Sequence, residues 1–229
     1  MKLGKRLAQI SQLVDNQYSH IWDCCCDHGF LGANLLDKNL DATVHFVDIV
    51  PHLMQALEAK LEEFYADKRT QWQTHCMDVA KLPLKEKPGK HLVIIAGVGG
   101  DLCGRFIKHI LANNPSSDIE FLLCPVHHLY TLRQTLNHLN LNLINETLIS
   151  ENKRYYEILK ITNSPAVQAH SISPVGEAIW QFSDAQSSAN AKAYLSKTIA
   201  HYQRINRGDN DVSDIIAAYE GVKVAPKNE

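Results

Sequence analysis

Short apolar runs alternate with helical patterns from residue 20 to residue 140, and this alternation constrains the fold more than any other feature of the sequence. The run KHLVIIAG (90–97) is apolar almost throughout, which is typical of a strand buried on both faces of a sheet. The other predicted strands cover 20–24, 42–49, 70–79 and 119–125. The helical patterns cover 29–40, 50–68, 100–114 and 129–140. This order predicts a parallel sheet with helices on both faces.

The pattern changes after residue 140. Residues 141–162 read as two strands joined by a tight turn at Glu151 and Asn152, which predicts an antiparallel hairpin. Strand–helix units closed by such a hairpin are the order of a class I methyltransferase, an α/β, Rossmann-like fold with a mostly parallel seven-stranded sheet.

A polar stretch with two prolines, residues 163–176, is the predicted linker to a smaller C-terminal part. Beyond it, the segments GEAIWQF, NAKAYLSKTIAHYQRI and DVSDIIAAYEGVKV predict three helices. We therefore expect a main domain over residues 1–162 and a helical extension over 163–229, which is too short to be a robust domain alone.

Composition restricts the partners and the compartment. The 229 residues carry a formal net charge of −2, so any nucleic-acid surface must be local. The N-terminal segment has an amphipathic pattern without the apolar core of a signal peptide, and no run approaches the ~18 apolar residues of a membrane span. We expect a cytoplasmic protein that does not enter a membrane. The oligomeric state stays open, with a monomer as the expectation.

Three adjacent cysteines in DCCCDHG (23–29) suggest a metal site, a redox centre or a nucleophile. Neighbouring residues of an extended chain point to opposite faces, so these cysteines cannot all bind one ion. A nucleophilic cysteine needs a base and an orienting group, and only His28 is near. We expect no metal, and we interpret the six cysteines as free thiols that behave as small apolar residues.

An aspartate lies at the carboxyl end of each of the first three predicted strands: Asp23, Asp48 and Asp78. Ligands of open parallel sheets bind beyond the carboxyl ends of the strands. There, Asp48 can accept hydrogen bonds from ribose hydroxyls, Asp78 from an adenine amino group, and Asp23 can face a cationic amine. S-adenosylmethionine combines these groups. The alternative is that each acid caps the following helix or turn. A dinucleotide-binding fold is disfavoured because Gly29 alone stands where G-x-G-x-x-G is needed.

Four segments resemble one family. DCCCDHGFLGANLL is similar to the D-I-G-S-D-H-A-Y-L-P opening of the bacterial tRNA (adenine(22)-N1)-methyltransferases, the TrmK-like family, and IIAGVGGDLCGRFI (94–107) is similar to their I-A-G-M-G-G stretch. LCPVHHLYTLRQTL (123–136) and NETLISENKRYYEILKI (145–161) resemble the segments that follow there. The resemblance covers residues 5–162.

This resemblance implies an enzyme that uses S-adenosylmethionine to methylate N1 of an adenine in tRNA. The implied cofactor-binding residues are Asp23, Cys25, Gly29, Asp48, Ile49, Asp78, Val79 and Ala96. The implied transfer site consists of Asp27, His28, Gly97, Val98, Gly99 and Gly100. There, a carboxylate such as Asp27 can stabilise a cationic product, His28 can position the base or serve the structure, and glycines allow close approach of a flat base.

The sequence departs from the family at the cofactor turn. Cys25 and Met77 stand where the family has glycine, and Cys26 replaces its serine. We therefore expect the backbone at Cys25 to avoid positive φ, and the cofactor to bind more weakly or in a differently shaped turn. Two alternatives stay open: a methyltransferase of a small molecule or protein, and a lapsed enzyme that retains RNA or cofactor binding.

Substrate recognition is less visible in the sequence. Tyr155 and Tyr156 can stack on a displaced base or simply pack in a strand. Basic clusters suited to phosphate contact, or to a solvated surface, are Lys2, Lys5 and Arg6; Lys81, Lys85, Lys87 and Lys90; Arg105 and Lys108; and Lys153 and Arg154.

Overall fold

The computed structural model describes residues 3–165, 169–208 and 211–227. Lys2 and part of the predicted linker lie outside these ranges. The helices are α1 Lys5–Gln12, α2 Phe30–Asp37, α3 Pro51–Phe64, α4 Gly100–Asn113, α5 Leu129–His138, α6 Ala185–Asn206 and α7 Ser213–Glu220. The strands are β1 His20–Cys24, β2 Thr43–Asp48, β3 Trp72–Cys76, β4 His91–Ala96, β5 Ile119–Cys124, β6 Asn142–Glu151, β7 Arg154–Thr162, β8 Gln181–Phe182 and β9 Ala225–Pro226.

Seven strands form the main sheet in the order β3-β2-β1-β4-β5-β7-β6. The first five pair in parallel, whereas β7 runs antiparallel to both of its neighbours, β5 and β6. The predicted class I methyltransferase fold is therefore confirmed. The strand order reverses between β1 and β4, and a crevice at that switch point is where such sheets bind ligands.

The central strands are buried on both faces, as the apolar run in β4 predicts. Val93 and Ile95 pack on the side of α4 and α5, whereas Leu92 and Ile94 pack on the side of α1, α2 and α3. Successive side chains of a strand point to opposite faces, so one continuous apolar run fills both layers of the core. These two layers hold the carboxyl ends of β1 and β4 in fixed positions.

Two local predictions are wrong. The segment GEAIWQF is a 3-10 turn, Ala178–Trp180, followed by β8, which pairs with β9. Its apolar residues are too few to complete a helical stripe, and Ile179 and Trp180 are buried by this short turn instead. The hairpin turn lies one residue later than predicted, at Asn152 and Lys153, which both have positive φ. The described part of the chain contains no helix long and apolar enough to cross a membrane.

A buried ion network joins the C-terminal segment to the sheet. Arg133 of α5 donates from Nη2 to Glu146 Oε2 and to Glu157 Oε2, each at 2.6 Å, and all three side chains are fully buried. The second oxygen of Glu146 accepts the backbone N–H of Glu177 at 2.6 Å. The second oxygen of Glu157 accepts the hydroxyl of Tyr194, on α6, at 2.6 Å. The C-terminal segment is therefore attached to the hairpin by buried charged groups.

Candidate active site

A cavity of about 310 Å³ opens at the switch point between β1 and β4. The turn after β1, the turn after β4 and the N-terminal helix α1 form its walls. The lining residues are Arg6, Leu7, Asp23, Cys24, Cys25, Cys26, Asp27, His28, Phe30, Leu31, Ala96, Gly97 and Val98. Asp23, Cys25, Asp27, His28, Ala96, Gly97 and Val98 were predicted as site residues, and the cavity brings them together. The other predicted site residues, Gly29, Asp48, Ile49, Asp78, Val79, Gly99 and Gly100, lie outside its lining.

Asp23 is the buried acid of this cavity, with 4% of its surface exposed. Its Oδ2 accepts the backbone N–H of Gly32, in the first turn of α2, at 2.9 Å. The pKa of Asp23 is raised to about 7, mainly by burial and to a smaller extent by the nearby charge of Asp48. Asp23 thus positions α2 through one oxygen, and its carboxylate needs a cationic partner to remain ionised.

Asp48 and Asp78 also hold turns. Asp48 accepts the N–H of Asp27 at Oδ2 and that of Val50 at Oδ1, both at 3.1 Å, and Asp78 accepts the N–H of Ala80 at 2.9 Å. The capping role considered from the sequence is therefore real, but a carboxylate has about four acceptor positions and can serve a ligand as well. Burial is the largest of the causes that raise the pKa of Cys25 to about 12, and the charges of Asp48, Asp23 and Asp78 are the others. The three acids are therefore grouped around this turn.

The turn after β1 is built from left-handed residues. Cys25, Asp27 and Gly29 have φ angles of 57°, 50° and 70°. The expectation that Cys25 avoids positive φ is therefore wrong. The chain must pass from β1 into α2 within a few residues, and hydrogen bonds from Cys26 N to Val47 O (3.2 Å) and from Gly29 N to Cys26 O (2.7 Å) fix this path. A side chain in this conformation costs roughly 1–2 kcal/mol, which a glycine would avoid. No such strain exists at Met77, whose φ is negative.

The three adjacent cysteines have different surroundings, although Cys25 also packs against the core layer of Cys24. Cys24 packs in the core layer of α4 and α5, Cys26 packs in the layer of α1 to α3, and Cys25 lines the cavity. Burial raises the pKa of all three thiols, which keeps them protonated and unreactive. All six cysteines are free. Within the described ranges, no group of three His, Cys, Asp or Glu side chains is placed to hold a metal ion.

The glycines after β4 have different roles. Gly97 has a φ of 85°, and the one atom among the described residues that a Cβ there would approach within 4 Å is Nη1 of Arg6, at 3.8 Å, so the backbone is only loosely covered. At Gly99 a Cβ would collide with the ring of His127, and at Gly100 with the carbonyl of His128. Close approach of a flat ligand is therefore open at Gly97, whereas the other two glycines are required by the loop after β5.

Arg6 is the charged residue of the cavity lining that was not predicted as a site residue, because it was grouped with lysines as a phosphate contact. Its guanidinium carbon lies 5.2 Å from the ring centroid of Tyr156. Nη1 of Arg6 is buried and has no hydrogen-bond partner in the part of the chain that the structure describes. The amphipathic pattern of α1 places Arg6 on a helix, but it cannot show that this helix closes a cavity.

Asp27 and His28 lie at the exposed rim of the cavity. His28 Nε2 lies 3.6 Å from Asp27 Oδ1, and both side chains are more than half exposed. An anionic group is thus available at the mouth of the cavity, above a buried acid and a buried unpaired guanidinium nitrogen.

Comparisons with known proteins agree with this geometry. A family model described as a methyltransferase domain, Methyltransf_18, matches residues 3–159. The chain is 26% identical over 162 residues to MG248 of Mycoplasma genitalium, which is assigned as a tRNA methyltransferase, and the match covers 69% of each protein. The structure of the B. subtilis m1A22 tRNA methyltransferase TrmK superposes with a TM-score of 0.73 at 19% identity, over 96% of this chain and 97% of that one. M. capricolum TrmK, in complex with S-adenosyl-homocysteine, gives 0.69 at 20% identity, over 96% and 94%.

Proposed function

The chain belongs to the methyltransferase-domain family, and from this premise we propose that it uses S-adenosylmethionine to methylate N1 of an adenine in tRNA. The main support for the proposal is that an acidic group and a basic group line the same cavity. Asp23 and Nη1 of Arg6 are both buried there, and the guanidinium nitrogen has no partner among the described residues. A ligand with an ammonium and a carboxylate on the same carbon satisfies both groups.

The amino-acid end of S-adenosylmethionine is such a ligand. A buried polar atom without a hydrogen bond costs about 1–3 kcal/mol, and a carboxylate beside Arg6 would remove this cost. An ammonium beside Asp23 would keep that acid ionised despite its burial. A pyrophosphate would instead meet the carboxylates of Asp23 and Asp27, which disfavours a dinucleotide.

The nucleoside end would lie over the ends of β2 and β3. Asp48 would accept the ribose hydroxyls, and Asp78 would accept the adenine amino group. Ile49 is 64% exposed although it is a large apolar residue, and it offers a flat contact for a purine ring. The other contacts with the nucleoside would come from small side chains and backbone, at Cys25, Val79, Ala96 and Gly29.

When bound, the cofactor supplies an electrophilic methyl group, and the chain supplies alignment and charge. The turn at Gly97 and Val98 lines the cavity and would let an adenine approach it edge-on. Adenine N1 offers a lone pair, so no proton must be removed before attack. The methylated ring is cationic, and the rim carboxylate of Asp27 stabilises that charge, while His28 orients the base.

The choice of tRNA is supported by the similar proteins, each of which is a tRNA methyltransferase or is assigned as one. A tRNA substrate would place the enzyme in the cytoplasm.

Calorimetry with S-adenosylmethionine tests the cofactor. Asp48→Asn and Arg6→Gln should each weaken binding roughly 10- to 100-fold, because each removes a charge-assisted hydrogen bond of about 1–3 kcal/mol. Asp67→Ala, at an exposed position outside the site, is the control and should bind as the unmodified protein does. Equal affinity in all folded variants would contradict the assignment.

Methyl incorporation into unmodified tRNA, followed by nucleoside analysis, tests the reaction. The expected product is 1-methyladenosine. Cofactor binding without any methylated nucleoside would reject the tRNA reaction and favour a small-molecule or protein substrate.

A further inference from the structure

A second cleft, of about 690 Å³, lies between the tip of the β6–β7 hairpin, the loop after β5 and helices α6 and α7. We propose that this tail cleft holds the single-stranded RNA nucleotides that flank the target adenine. The inference rests on the proposed function and adds to it the place where the substrate strand is held.

Charge is the first argument. The tail cleft is lined by the cations Lys153, Arg154 and Lys197 and by His127, His128 and His201, and none of its described lining residues is acidic. Among the described residues, the one carboxylate bonded to any of these histidines is that of Asp101, which pairs with His128. The cofactor cavity, in contrast, has Asp23 and Asp27 in its walls. A polyanionic strand is therefore attracted to the tail cleft and repelled by the acids of the cavity.

Aromatic rings are the second argument. Tyr155 and Tyr156 line the cleft and are partly exposed, and each has a cation over its ring: Lys197 Nζ lies 4.8 Å from the centroid of Tyr155, and Arg6 is placed over Tyr156. Tyr194 is already stacked on Trp180. Partly exposed rings beside cations match unpaired bases joined by phosphates, since bases stack on aromatic side chains and phosphates need positive partners.

The tail cleft shares a wall with the cofactor cavity. Val126, which lines the cleft, donates from N to Val98 O at 2.9 Å, and Gly100 N donates to His127 O at 2.9 Å. Arg6 lines the cavity and contacts Tyr156, which lines the cleft. A nucleotide strand held in the cleft thus brings one displaced base to the turn at Gly97, while its neighbours stay on the tyrosines.

Equilibrium binding of full-length protein to unmodified tRNA tests this inference. The double variant Lys153→Asp, Arg154→Glu should weaken tRNA binding about tenfold or more at 0.1 M salt. The slope of log affinity against log salt concentration should fall by the amount expected for about two phosphate contacts. Tyr155→Ala should weaken binding roughly tenfold through lost stacking. Affinity for S-adenosylmethionine should be unchanged in both variants.

The matched control is Lys60→Glu, Lys192→Glu, which changes the net charge equally at exposed positions outside the cleft; Lys192 lies on α6 itself. If the cleft variants bind and methylate tRNA as this control does, the inference is wrong while the proposed function stands. If the unmodified protein binds no S-adenosylmethionine and methylates no tRNA, the proposed function itself fails. Competition by polyglutamate as effective as that by an RNA oligonucleotide would show an unspecific anion surface and would also overturn the inference.

Discussion

The two halves of the site are held together by different means. In the cofactor half, Asp23, Asp48 and Asp78 each accept a backbone N–H from a nearby turn, so the strand ends and their loops fix one another locally. The tail cleft depends on contacts between distant segments, above all the ion network of Arg133 with Glu146 and Glu157. The cofactor half should therefore stay intact when the ion network that holds the tail cleft is broken.

Arg133→Met is the substitution with the largest expected effect. It leaves Glu146 and Glu157 buried without their cation, and breaking a buried pair in this way costs about 3–5 kcal/mol. Urea unfolding at pH 7.5 should report this loss. Affinity for tRNA should fall with it, because the C-terminal helices lose their attachment, whereas calorimetry should find cofactor affinity within about threefold of normal, since no cofactor contact is lost.

Arg69→Met serves as the control for that experiment. Arg69 forms a half-exposed ion pair with Glu62 at 2.9 Å and lies over the ring of Trp72. Its removal should cost about 1 kcal/mol. Equal losses for the two arginine variants would mean that the buried network does not hold the tail. A parallel loss of cofactor affinity in Arg133→Met would mean that the two halves are one unit.

The same contrast explains how much could be predicted from the sequence. The methyltransferase fold and the acids at the strand ends follow from a local pattern of apolar runs, the first three of which end in an aspartate, and the fold prediction is confirmed. The cations and tyrosines of the hairpin were considered as RNA contacts from the sequence, but the cleft that they line, and the place of Arg6 in the cavity, could not be predicted. Both depend on how α1, the hairpin and α6 meet. The left-handed backbone at Cys25 was missed because a non-glycine residue gives no local sign of positive φ. The division at residue 162 and the individual site roles stay predictions.

His45 allows acid to weaken the strands of the cofactor half selectively. It is fully buried in β2, with Nε2 3.1 Å from His20 Nδ1 and Nδ1 2.9 Å from His75 Nε2. Burial, then the neighbouring His75 and His20, lowers its pKa to about 2. Folding favours neutral His45, whose pKa in the unfolded chain is about 6.5. The stability that depends on neutral His45 is therefore complete above pH 6.5 and is lost as pH falls. At pH 5 this loss is about 2 kcal/mol.

Urea unfolding of the unmodified protein and of His45→Gln, at pH 7.5 and at pH 5, measures this effect. The stability difference between the two proteins should shrink by about 2 kcal/mol at the lower pH. Asp23, whose raised pKa acts in the opposite direction, is present in both proteins and cancels. Glu146 of the tail network, whose pKa Arg133 lowers although burial opposes it, is likewise present in both proteins and cancels. A stability difference that is equal at both pH values would contradict the role of His45.

Cys25→Gly has the smallest expected effect, and its size relative to that of Cys24→Gly tests how the cofactor turn is built. Glycine relieves roughly 1–2 kcal/mol of left-handed strain at φ 57°, but it loses a partly buried side chain and adds freedom to the unfolded chain. These terms nearly cancel, so urea unfolding should change by less than about 1 kcal/mol. Cys24→Gly, one residue earlier in the regular strand β1, has no strain to relieve and should lose roughly 2 kcal/mol. If both glycine variants lose the same stability, Cys25 is not strained, and its replacement of the family's glycine costs the fold nothing.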